Sequence, residues 1–320
     1  MNSERFTDTA WTTGNFNKAT ISPSQTALNN WTYFLKYQLI PHLKFKPEKP
    51  SISFKTGTFV HEWFQNILMG NAKIEDVEKH FKTHIEQFKF SEKHRMKSLF
   101  LLKNIKGYVQ RHLDAIKEIS TWGEGWGIEK PFSDWYDNKY LGQTLNIANE
   151  GFIDCYNDDL EIITEHKNRF GSAKLSPLKK EPKKNVKPNE NRIGDWTYTK
   201  SQKINKPQFT HCIQVAVYSK HYNYKYQPYL IYVGDSDYTI FTKDNCWELS
   251  NSGLEYFFEK FIQINIQRQE MLRIANGDIR KLAIMIGVDW SEIRNYKNNF
   301  LLENYHEEDM YKLETFYEQL

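Results

Sequence analysis

Three residues of this chain have the types and the spacing needed for hydrolytic chemistry: Asp154, Glu165 and Lys167. Glu165 follows Asp154 by eleven residues, and Lys167 follows Glu165 by two. Two carboxylates side by side repel each other, so such a pair is favoured where a divalent cation lies between them. A carboxylate pair that holds a cation, with a lysine beside it, is the minimal set for metal-assisted hydrolysis of a phosphodiester.

Two adjacent strands must position these residues. Residues 145–156 and 160–167 are predicted strands, joined by an Asn-Asp-Asp turn at residues 157–159. Side chains alternate along a strand, so Glu165 and Lys167 should share one face, with Thr164 and His166 on the other. A Glu-x-Lys pair is common on exposed strands and by itself usually has no functional meaning. The neighbouring predicted strand, which contains Asp154, is what favours a functional interpretation.

A predicted helix that begins at Gly57-Thr58 supplies His61, which lies beside the apolar residues Val60 and Phe64. A lone helical histidine is more often a structural residue, but a neutral imidazole also suits Mn²⁺ and similar metals. His61 is therefore a candidate metal ligand whose role depends on what lies next to it in the fold.

A second predicted helix begins at Pro207 and carries Gln214 and Tyr218, four residues apart and therefore on one side of the helix. One interpretation is a surface pair at the edge of an apolar stripe. The other is an amide and an aromatic ring directed at the phosphates or bases of a nucleic-acid strand.

The remaining elements surround these strands. They are a helix over residues 22–41, helices over 74–90 and 92–120, a hairpin over 229–242 and a helical region from about 254. No element is predicted for residues 123–140, which are rich in glycine and aromatic residues. Strands between long helices favour an α/β sandwich on a mixed sheet.

Two further segments have both structural and functional interpretations. Residues 174–192 form a basic, proline-containing loop, either a solvated connector or an electrostatic arm that touches a phosphate backbone. Residues 275–300 resemble a helix–turn–helix, with Gly287 between two amphipathic runs. Ordinary helical packing is the favoured interpretation of this segment over a DNA-reading element.

Composition excludes several classes. The chain has 320 residues and a net charge of +3, which neither implies nor excludes nucleic acid, because a local cleft can be basic. No apolar run reaches the length of a bilayer span and no signal-peptide core is visible, so we expect a soluble, cytoplasmic protein with no membrane partner. Cys155, Cys212 and Cys246 lie far apart, which excludes an iron–sulfur cluster and predicts buried thiols.

Five short motifs, in this order, resemble the PD-(D/E)XK nuclease superfamily, in particular its RecB-like exonuclease branch, which includes phage and mitochondrial exonucleases. The motifs are Ser22-Pro23-Ser24, Gly57-Thr58-Phe59-Val60-His61, Gly151-Phe152-Ile153-Asp154, Glu165-His166-Lys167 and Gln214-Val215-Ala216-Val217-Tyr218. They span residues 22–218, about three-fifths of the chain. Each motif is short, and it is their common order and spacing that make the resemblance specific.

The resemblance implies an α/β fold with a restriction-endonuclease-like core, a central mixed β-sheet flanked by helices, and extra N- and C-terminal helices. One nuclease domain would cover residues 1–320, with its core over about 50–245 and a C-terminal helical extension over about 250–320. The implied activity is that of a metal-dependent DNA exonuclease acting on single strands or strand ends. Its setting would be phage-type DNA replication, recombination or degradation, with replication or recombination proteins as further partners.

The resemblance also implies roles at the site. Asp154 and Glu165 would be acidic ligands of Mg²⁺ or Mn²⁺, and His61 and the backbone carbonyl of His166 would complete the shell. Lys167 would position or help deprotonate the attacking water and stabilise charge on the phosphate. A cation beside Lys167 should lower the pKa of its amine.

Four other residues would contact the substrate by the same resemblance. Gln214 and Tyr218 would hold the site and the substrate strand. Ser24 is a further substrate-binding candidate, and Ser172 a candidate phosphate contact.

The chain departs from some members of this branch in two ways. It lacks the four cysteines of an iron–sulfur cluster, and its insertion at 174–192 is longer than the usual connector. Two alternatives stay open. One is a structure-selective or sequence-specific endonuclease on the same core, which would cut closed circular DNA. The other is a catalytically dormant DNA-binding replication scaffold, which need not bind metal.

Overall fold

The computed structural model describes residues 20–26, 28–46, 51–120, 125–134, 137–138, 143–144, 148–176, 192–276, 278–299, 301–303 and 305–320. It is a mixed α/β protein with a central sheet of parallel and antiparallel strands flanked by helices, which confirms the predicted fold class. Most of the basic insertion lies outside the described residues.

The strands are β1 (Thr20–Ile21), β2 (Trp126–Asp134), β3 (Asp137–Asn138), β4 (Gln143–Thr144), β5 (Ala148–Asn157), β6 (Ile162–Asn168), β7 (Ser172–Leu175), β8 (Arg192–Ile193), β9 (Trp196–Thr199), β10 (Gln227–Val233) and β11 (Tyr238–Phe241). The central sheet contains β1, β2, β5, β6, β10 and β11, while β7, β9 and β8 form a separate small sheet. The β10–β11 hairpin is the one predicted from the sequence.

The helices are α1 (Pro23–Thr26), α2 (Asn30–Phe34), α3 (Ile40–His42), α4 (Ile52–Leu68), α5 (Val77–Glu86), α6 (Glu92–Ile119), α7 (Phe209–His221), α8 (Asn251–Ala275), α9 (Ile279–Ile286), α10 (Trp290–Arg294) and α11 (Glu307–Glu318). A π-helical segment, Leu35–Leu39, joins α2 to α3. Within the described residues, no helix combines the length and the apolar character that crossing a bilayer would require.

β5 is the strand around which the sheet is organised. Along one edge it pairs antiparallel with β2. Along the other edge it pairs with β1 at residues 148–149 and with β6 at residues 155–157. In the described part of the chain no strand pairs with this second edge between residues 150 and 154, so the sheet is open there. β6 continues the sheet through the parallel strand β10.

Two hydrophobic clusters cover the two faces of the sheet. Leu230 and Tyr232 of β10 pack with α7 and α8 on one face. Ile231 and Val233, the alternate residues of the same strand, pack with α4, α5 and α6 on the other. This alternation is the period-two pattern of a strand buried on both faces.

Where β2 and β5 pair, residues an even number of positions apart no longer face the same side of the sheet. On β5, Ile153 packs on the α7 face, whereas Cys155, two residues later, packs on the α4 face. On β2, Ile128 packs on the α4 face and Phe132 on the α7 face. Residues an even number apart should share a face. Glu129, with a left-handed backbone at φ 53°, is the residue at which β2 turns over.

The N-terminal helical region differs from its prediction. Instead of one helix over residues 22–41, α1 ends at Thr26 and α2 begins at Asn30. The side chain of Asn29 caps α2 by accepting a hydrogen bond from the backbone N–H of Thr32 at 2.7 Å. Asparagine competes with helical hydrogen bonding in this way, so it starts a new helix here.

The terminal helices pack on each other in a third cluster. Trp31 and Phe34 of α2 share it with Leu282 and Ala283 of α9 and Ile293 of α10. The apolar side of the segment that resembles a helix–turn–helix is therefore buried against the N-terminal helices.

α4 begins earlier than predicted, at Ile52 instead of Gly57. Ile52 is fully buried and extends the apolar stripe of the helix by more than one turn. The three cysteines are buried free thiols, as predicted.

Asp235 follows β10 and forms what we call the Asp235 network. Its Oδ1 accepts hydrogen bonds from the hydroxyls of Tyr108 at 2.5 Å and Tyr198 at 2.7 Å. Its Oδ2 accepts from the backbone N–H groups of Ser201 at 2.7 Å and Gly171 at 3.0 Å. The network ties α6 and the small sheet to the end of β10.

Candidate metal centre

Helix α4 brings two polar side chains to the open edge of β5. His61 and Gln65 lie one helical turn apart and therefore on one side of α4. His61 Nε2 lies 3.4 Å from Asp154 Oδ1 and 3.4 Å from Glu129 Oε1. Each of His61, Glu129 and Asp154 offers a ligand atom within 4.8 Å of those of the other two, which makes them a group that could hold a metal ion.

Glu129 lies directly opposite Asp154 in the β2–β5 register. The pairs on either side are Ile128 with Cys155 and Lys130 with Ile153, while no pair joins Glu129 to Asp154. The backbone ladder is therefore interrupted at the row that holds two carboxylates. Like charges at directly opposed positions destabilise a sheet, so this row needs a positive partner.

Side chains replace the backbone bonds that this row lacks. The Gln65 amide nitrogen donates to the Asp154 carbonyl oxygen and to Glu129 Oε1, both at 2.9 Å. The backbone N–H of His166 donates to Asp154 Oδ2 at 2.7 Å. The Asp154 carbonyl and the His166 N–H, which have no partner strand at this row, thus have side-chain partners. The bond from the His166 N–H also fixes the position of the Asp154 carboxylate.

β6 presents Glu165 and Lys167 on one face, as predicted. The Lys167 amine hydrogen-bonds Glu165 Oε1 and donates to Gln214 Oε1 at 3.0 Å. By register Glu165 lies across from Asp154, one position beyond the last β5–β6 pair, Cys155 with Thr164. Glu129, Asp154 and Glu165, which we call the carboxylate row, therefore occupy equivalent positions on three neighbouring strands.

α7 supports Lys167 through a short relay. Gln214 Nε2 donates to the Tyr218 hydroxyl at 2.6 Å, and that hydroxyl donates to the Phe152 carbonyl at 3.1 Å. Both Gln214 and Tyr218 are buried, so the interpretation as a surface pair is wrong. Their contact with a substrate strand stays a prediction.

The side chain of His166 points away from the carboxylate row. Its Nδ1 lies 2.9 Å from Nδ1 of His112, and its Nε2 lies 3.0 Å from the Thr164 hydroxyl. Asn168 Oδ1 lies 2.9 Å from Nε2 of His112. Burial lowers the pKa of both histidines, that of His112 to about 3, so a neutral chain of side chains fixes the β6 backbone at His166. The metal-ligand role of the His166 carbonyl stays a prediction.

The charged groups of the site shift the pKa values of one another. Burial lowers the pKa of His61, but Asp154 and Glu129 outweigh it and raise that pKa to about 9. Burial, reinforced by Asp154, raises the pKa of Glu165 to about 7. Burial lowers the pKa of Lys167, but attraction by Glu165 and Asp154 raises it overall. The expected lowering at Lys167 therefore needs a cation that offsets these carboxylates.

The donor set fits a divalent cation. Glu165 is 2% exposed, and its buried Oε2 has no hydrogen-bond partner among the residues that the structure describes. A buried carboxylate oxygen without a donor, beside a second carboxylate, is unfavourable unless a cation binds. Carboxylate oxygens with one imidazole suit Mg²⁺ or Mn²⁺. Glu165 is not in the group of three with His61, so its sharing an ion with Asp154 stays a prediction.

The two remaining predicted substrate contacts lie on α1 and β7. Ser24 is exposed on α1, and its hydroxyl lies 3.0 Å from that of Ser22. Ser172 is exposed and begins β7, where it pairs with Thr199 of the small sheet. Their phosphate contacts stay predictions.

Sequence reasoning missed Glu129 and Gln65. β2 has an apolar alternation at Trp126 and Ile128, but Gly127 and Pro131 weaken the strand signal. The role of Gln65 depends on the interrupted ladder, which no local pattern reveals. Its spacing of four from His61 was the one available signal.

The comparisons with known proteins add little to this geometry. No protein-family model matches the chain, and no curated protein matches it. Among solved structures, the chain is similar to a crystal structure of a protein called SSO0001. That match has 10% identity and a TM-score of 0.26, and it covers 65% of this chain and 85% of the other. A likeness this weak carries no argument about function.

Proposed function

We propose that this chain is a divalent-cation-dependent deoxyribonuclease that hydrolyses phosphodiester bonds, acting as an exonuclease on single strands or strand ends. One observation carries the proposal. Lys167 contacts both Glu165 and Gln214, and Glu165 lies across β5–β6 from Asp154, which His61 approaches to 3.4 Å. This set provides a cationic donor next to Glu165, a buried carboxylate with one oxygen to which no described residue donates.

The reaction adds water across one P–O bond. The water oxygen bonds to phosphorus as that water loses a proton, and the departing sugar oxygen takes up a proton. A bound Mg²⁺ or Mn²⁺ would polarise the phosphate and lower the pKa of a coordinated water. Asp154, Glu165 and His61 would hold the cation, with the His166 carbonyl as a further ligand.

Lys167 has the position to act on the water and the phosphate. Gln214 and Glu165 hold its amine from two sides, so the ammonium is oriented before a substrate arrives. An oriented positive charge stabilises the charge that develops on the phosphate oxygens. As an ammonium, the same group can orient the attacking water. It can accept the proton of that water only where a bound cation lowers its pKa enough to leave the amine neutral.

The test is degradation of end-labelled DNA in Mg²⁺ or Mn²⁺. We expect the Lys167→Ala variant to lose roughly 10²–10⁴-fold in rate, the usual contribution of such a group. Lys297→Ala is the matched control, because Lys297 is exposed and pairs with Glu307, and both residues are far from Lys167 in the sequence. Equal rates for the wild type and Lys167→Ala would contradict the assignment.

Substrate form separates the proposal from its alternatives. An exonuclease degrades linear DNA and leaves closed circles intact. Cutting of closed circular DNA would identify an endonuclease instead. A wild type that is inactive on linear, circular and single-stranded DNA with either cation would identify a dormant binding protein.

A further inference from the structure

Three large aromatic side chains lie exposed near the N-terminal ends of α7 and α8. Trp247 is 55% exposed, Phe209 45% and Tyr256 43%, and we call these three residues the aromatic surface. The ring of Phe257 is buried and packs against each of them. Its centroid lies 5.6 Å from that of Phe209, 6.4 Å from that of Trp247 and 5.2 Å from that of Tyr256. Exposed apolar residues that are grouped in this way mark an interaction site, whereas scattered ones do not.

Lysines border the aromatic surface. The loop that joins β9 to α7 carries three exposed lysines, Lys200, Lys203 and Lys206. Lys206 is paired with Glu248 at 3.3 Å, but residues 196–234 themselves contain no aspartate or glutamate. From α8, the Lys260 amine lies over the ring of Tyr256, 5.3 Å from its centroid. Positive charge therefore approaches the rings both from the loop and from α8.

The aromatic surface lies next to the strand pair that carries Lys167. Tyr232 of β10 is the register partner of Lys167 on β6, so the two side chains are neighbours on the α7 face of the sheet. The Tyr232 hydroxyl accepts from the backbone N–H of Gln208 at 2.9 Å and lies 2.7 Å from Nδ1 of His211. Phe209 lies between these two residues in the chain, so its position is fixed relative to the candidate metal centre.

Rings and lysines together fit a single nucleic-acid strand better than they fit a protein. Every base has a flat face that can stack on an aromatic ring, while the phosphates of the same strand contact positive groups. In a duplex the bases stack on one another and present only their edges in the grooves, so a duplex cannot use the rings. Protein–protein interfaces are enriched in aromatic residues but depleted of lysine. A second copy of this chain would also bring like charges together.

We propose that the aromatic surface and the lysines of the β9–α7 loop bind single-stranded nucleic acid and lead the strand toward Lys167. Bases stack on the rings, and phosphates lie against Lys203 and Lys206. Stacking tolerates any base, so the surface has little sequence preference. The destination of the strand rests on the proposed function, but binding at the surface does not.

The experiment measures the affinity for a fluorescently labelled oligothymidylate in EDTA, where no divalent cation supports cleavage. Trp247→Ala should weaken binding about tenfold, the effect of losing one stacked base. Tyr311→Ala is the matched control, because Tyr311 is a 70% exposed aromatic residue on α11, and it should bind like the wild type. Trp247→Phe keeps a ring and should recover most of the lost affinity.

Salt dependence separates the rings from the lysines. Lys203→Ala should reduce the slope of log affinity against log salt by about 0.7, the share of one phosphate contact to a single strand. Trp247→Ala should leave that slope unchanged, because stacking releases no counterions. Equal slopes for the wild type and Lys203→Ala would contradict a phosphate contact at Lys203.

Four outcomes would overturn the proposal. They are a wild type that does not bind the oligonucleotide in EDTA, equal affinities for the wild type and a folded Trp247→Ala, tighter binding of duplex than of single strands, and a dimer that Trp247→Ala dissociates without a change in DNA binding. The last would identify an interface between copies. Lys167→Ala should bind like the wild type even where it abolishes cleavage, so failure of the proposed function is distinguishable from failure of this inference.

Discussion

Two buried carboxylates in this chain, Asp235 and Glu165, differ in what surrounds them. Asp235 is 6% exposed and accepts four hydrogen bonds, two on each oxygen. Glu165 is 2% exposed, and no residue in the described part of the chain donates to one of its oxygens. Asp154 lies beside Glu129, another acid. The hydrogen bonds of the Asp235 network are complete within the described residues, whereas we propose that a cation completes the carboxylate row.

The comparison indicates how an acid that stabilises a fold differs from an acid that is a candidate cation ligand. A buried carboxylate surrounded by N–H and O–H donors stabilises the fold, because its charge is compensated locally. A carboxylate whose neighbours are carboxylates keeps its charge only at a cost in stability. Substitutions in the two regions should therefore have opposite consequences.

The largest expected effect is on activity at Asp154. Asp154→Asn should reduce DNA cleavage by about 10³-fold or more, because it removes the negative charge of the carboxylate that lies between Glu129 and Glu165. The metal-free variant should change its free energy of unfolding by less than about 1 kcal/mol, since asparagine can still accept from the His166 N–H. Cleavage and urea unfolding check the two parts, and a large loss of stability would show that Asp154 is structural.

The converse is expected at Asp235. Asp235→Asn keeps the shape but turns a donor toward existing donors, so the free energy of unfolding should fall by about 2–4 kcal/mol. Mn²⁺ binding at a temperature where the variant is folded should match the wild type. Loss of Mn²⁺ binding by the folded variant would erase the distinction between the two regions.

The last expected effect is a pH dependence of the free energy of unfolding that arises at His112. The pKa of His112 is lowered by burial to about 3, compared with 6.5 when unfolded. The unfolded chain therefore binds the proton first. This contribution to stability is present above pH 6.5 and is lost at about 1.4 kcal/mol per pH unit as the pH falls toward 3.

Urea unfolding of the metal-free protein between pH 4.5 and 7.5 measures this slope. His112→Gln should show a shallower fall below pH 6.5 by about one proton's worth, because an amide does not titrate. Equal slopes would mean that His112 does not lie neutral between His166 and Asn168.

The positions of several site residues on their strands and helices could be predicted from the sequence, because strand alternation and apolar helix stripes are local signals. Glu165 and Lys167 share a face through strand alternation, and His61 follows from the apolar stripe of α4. The structure brings all three to the open edge of β5, near Asp154. Gln214 and Tyr218 lie on one side of α7, as their spacing predicts, while their burial depends on the packing of α7 against the sheet, where they contact Lys167 and Phe152.

Glu129 could not be found in the same way. Glu129 has a left-handed backbone. The residues of β2 before and after it do not follow a single pattern of alternation between the two faces of the sheet. Its relation to Asp154 comes from the pairing of β2 with β5, between residues 25 apart in the chain. Register of this kind is decided by packing on both faces rather than by local residue preferences.

The most direct test of the central claim is an anomalous difference map from crystals of the wild type soaked in Mn²⁺. We predict an anomalous peak within about 2–2.5 Å of an Asp154 carboxylate oxygen. Saturating Mn²⁺ that leaves no peak near Asp154 would contradict the account.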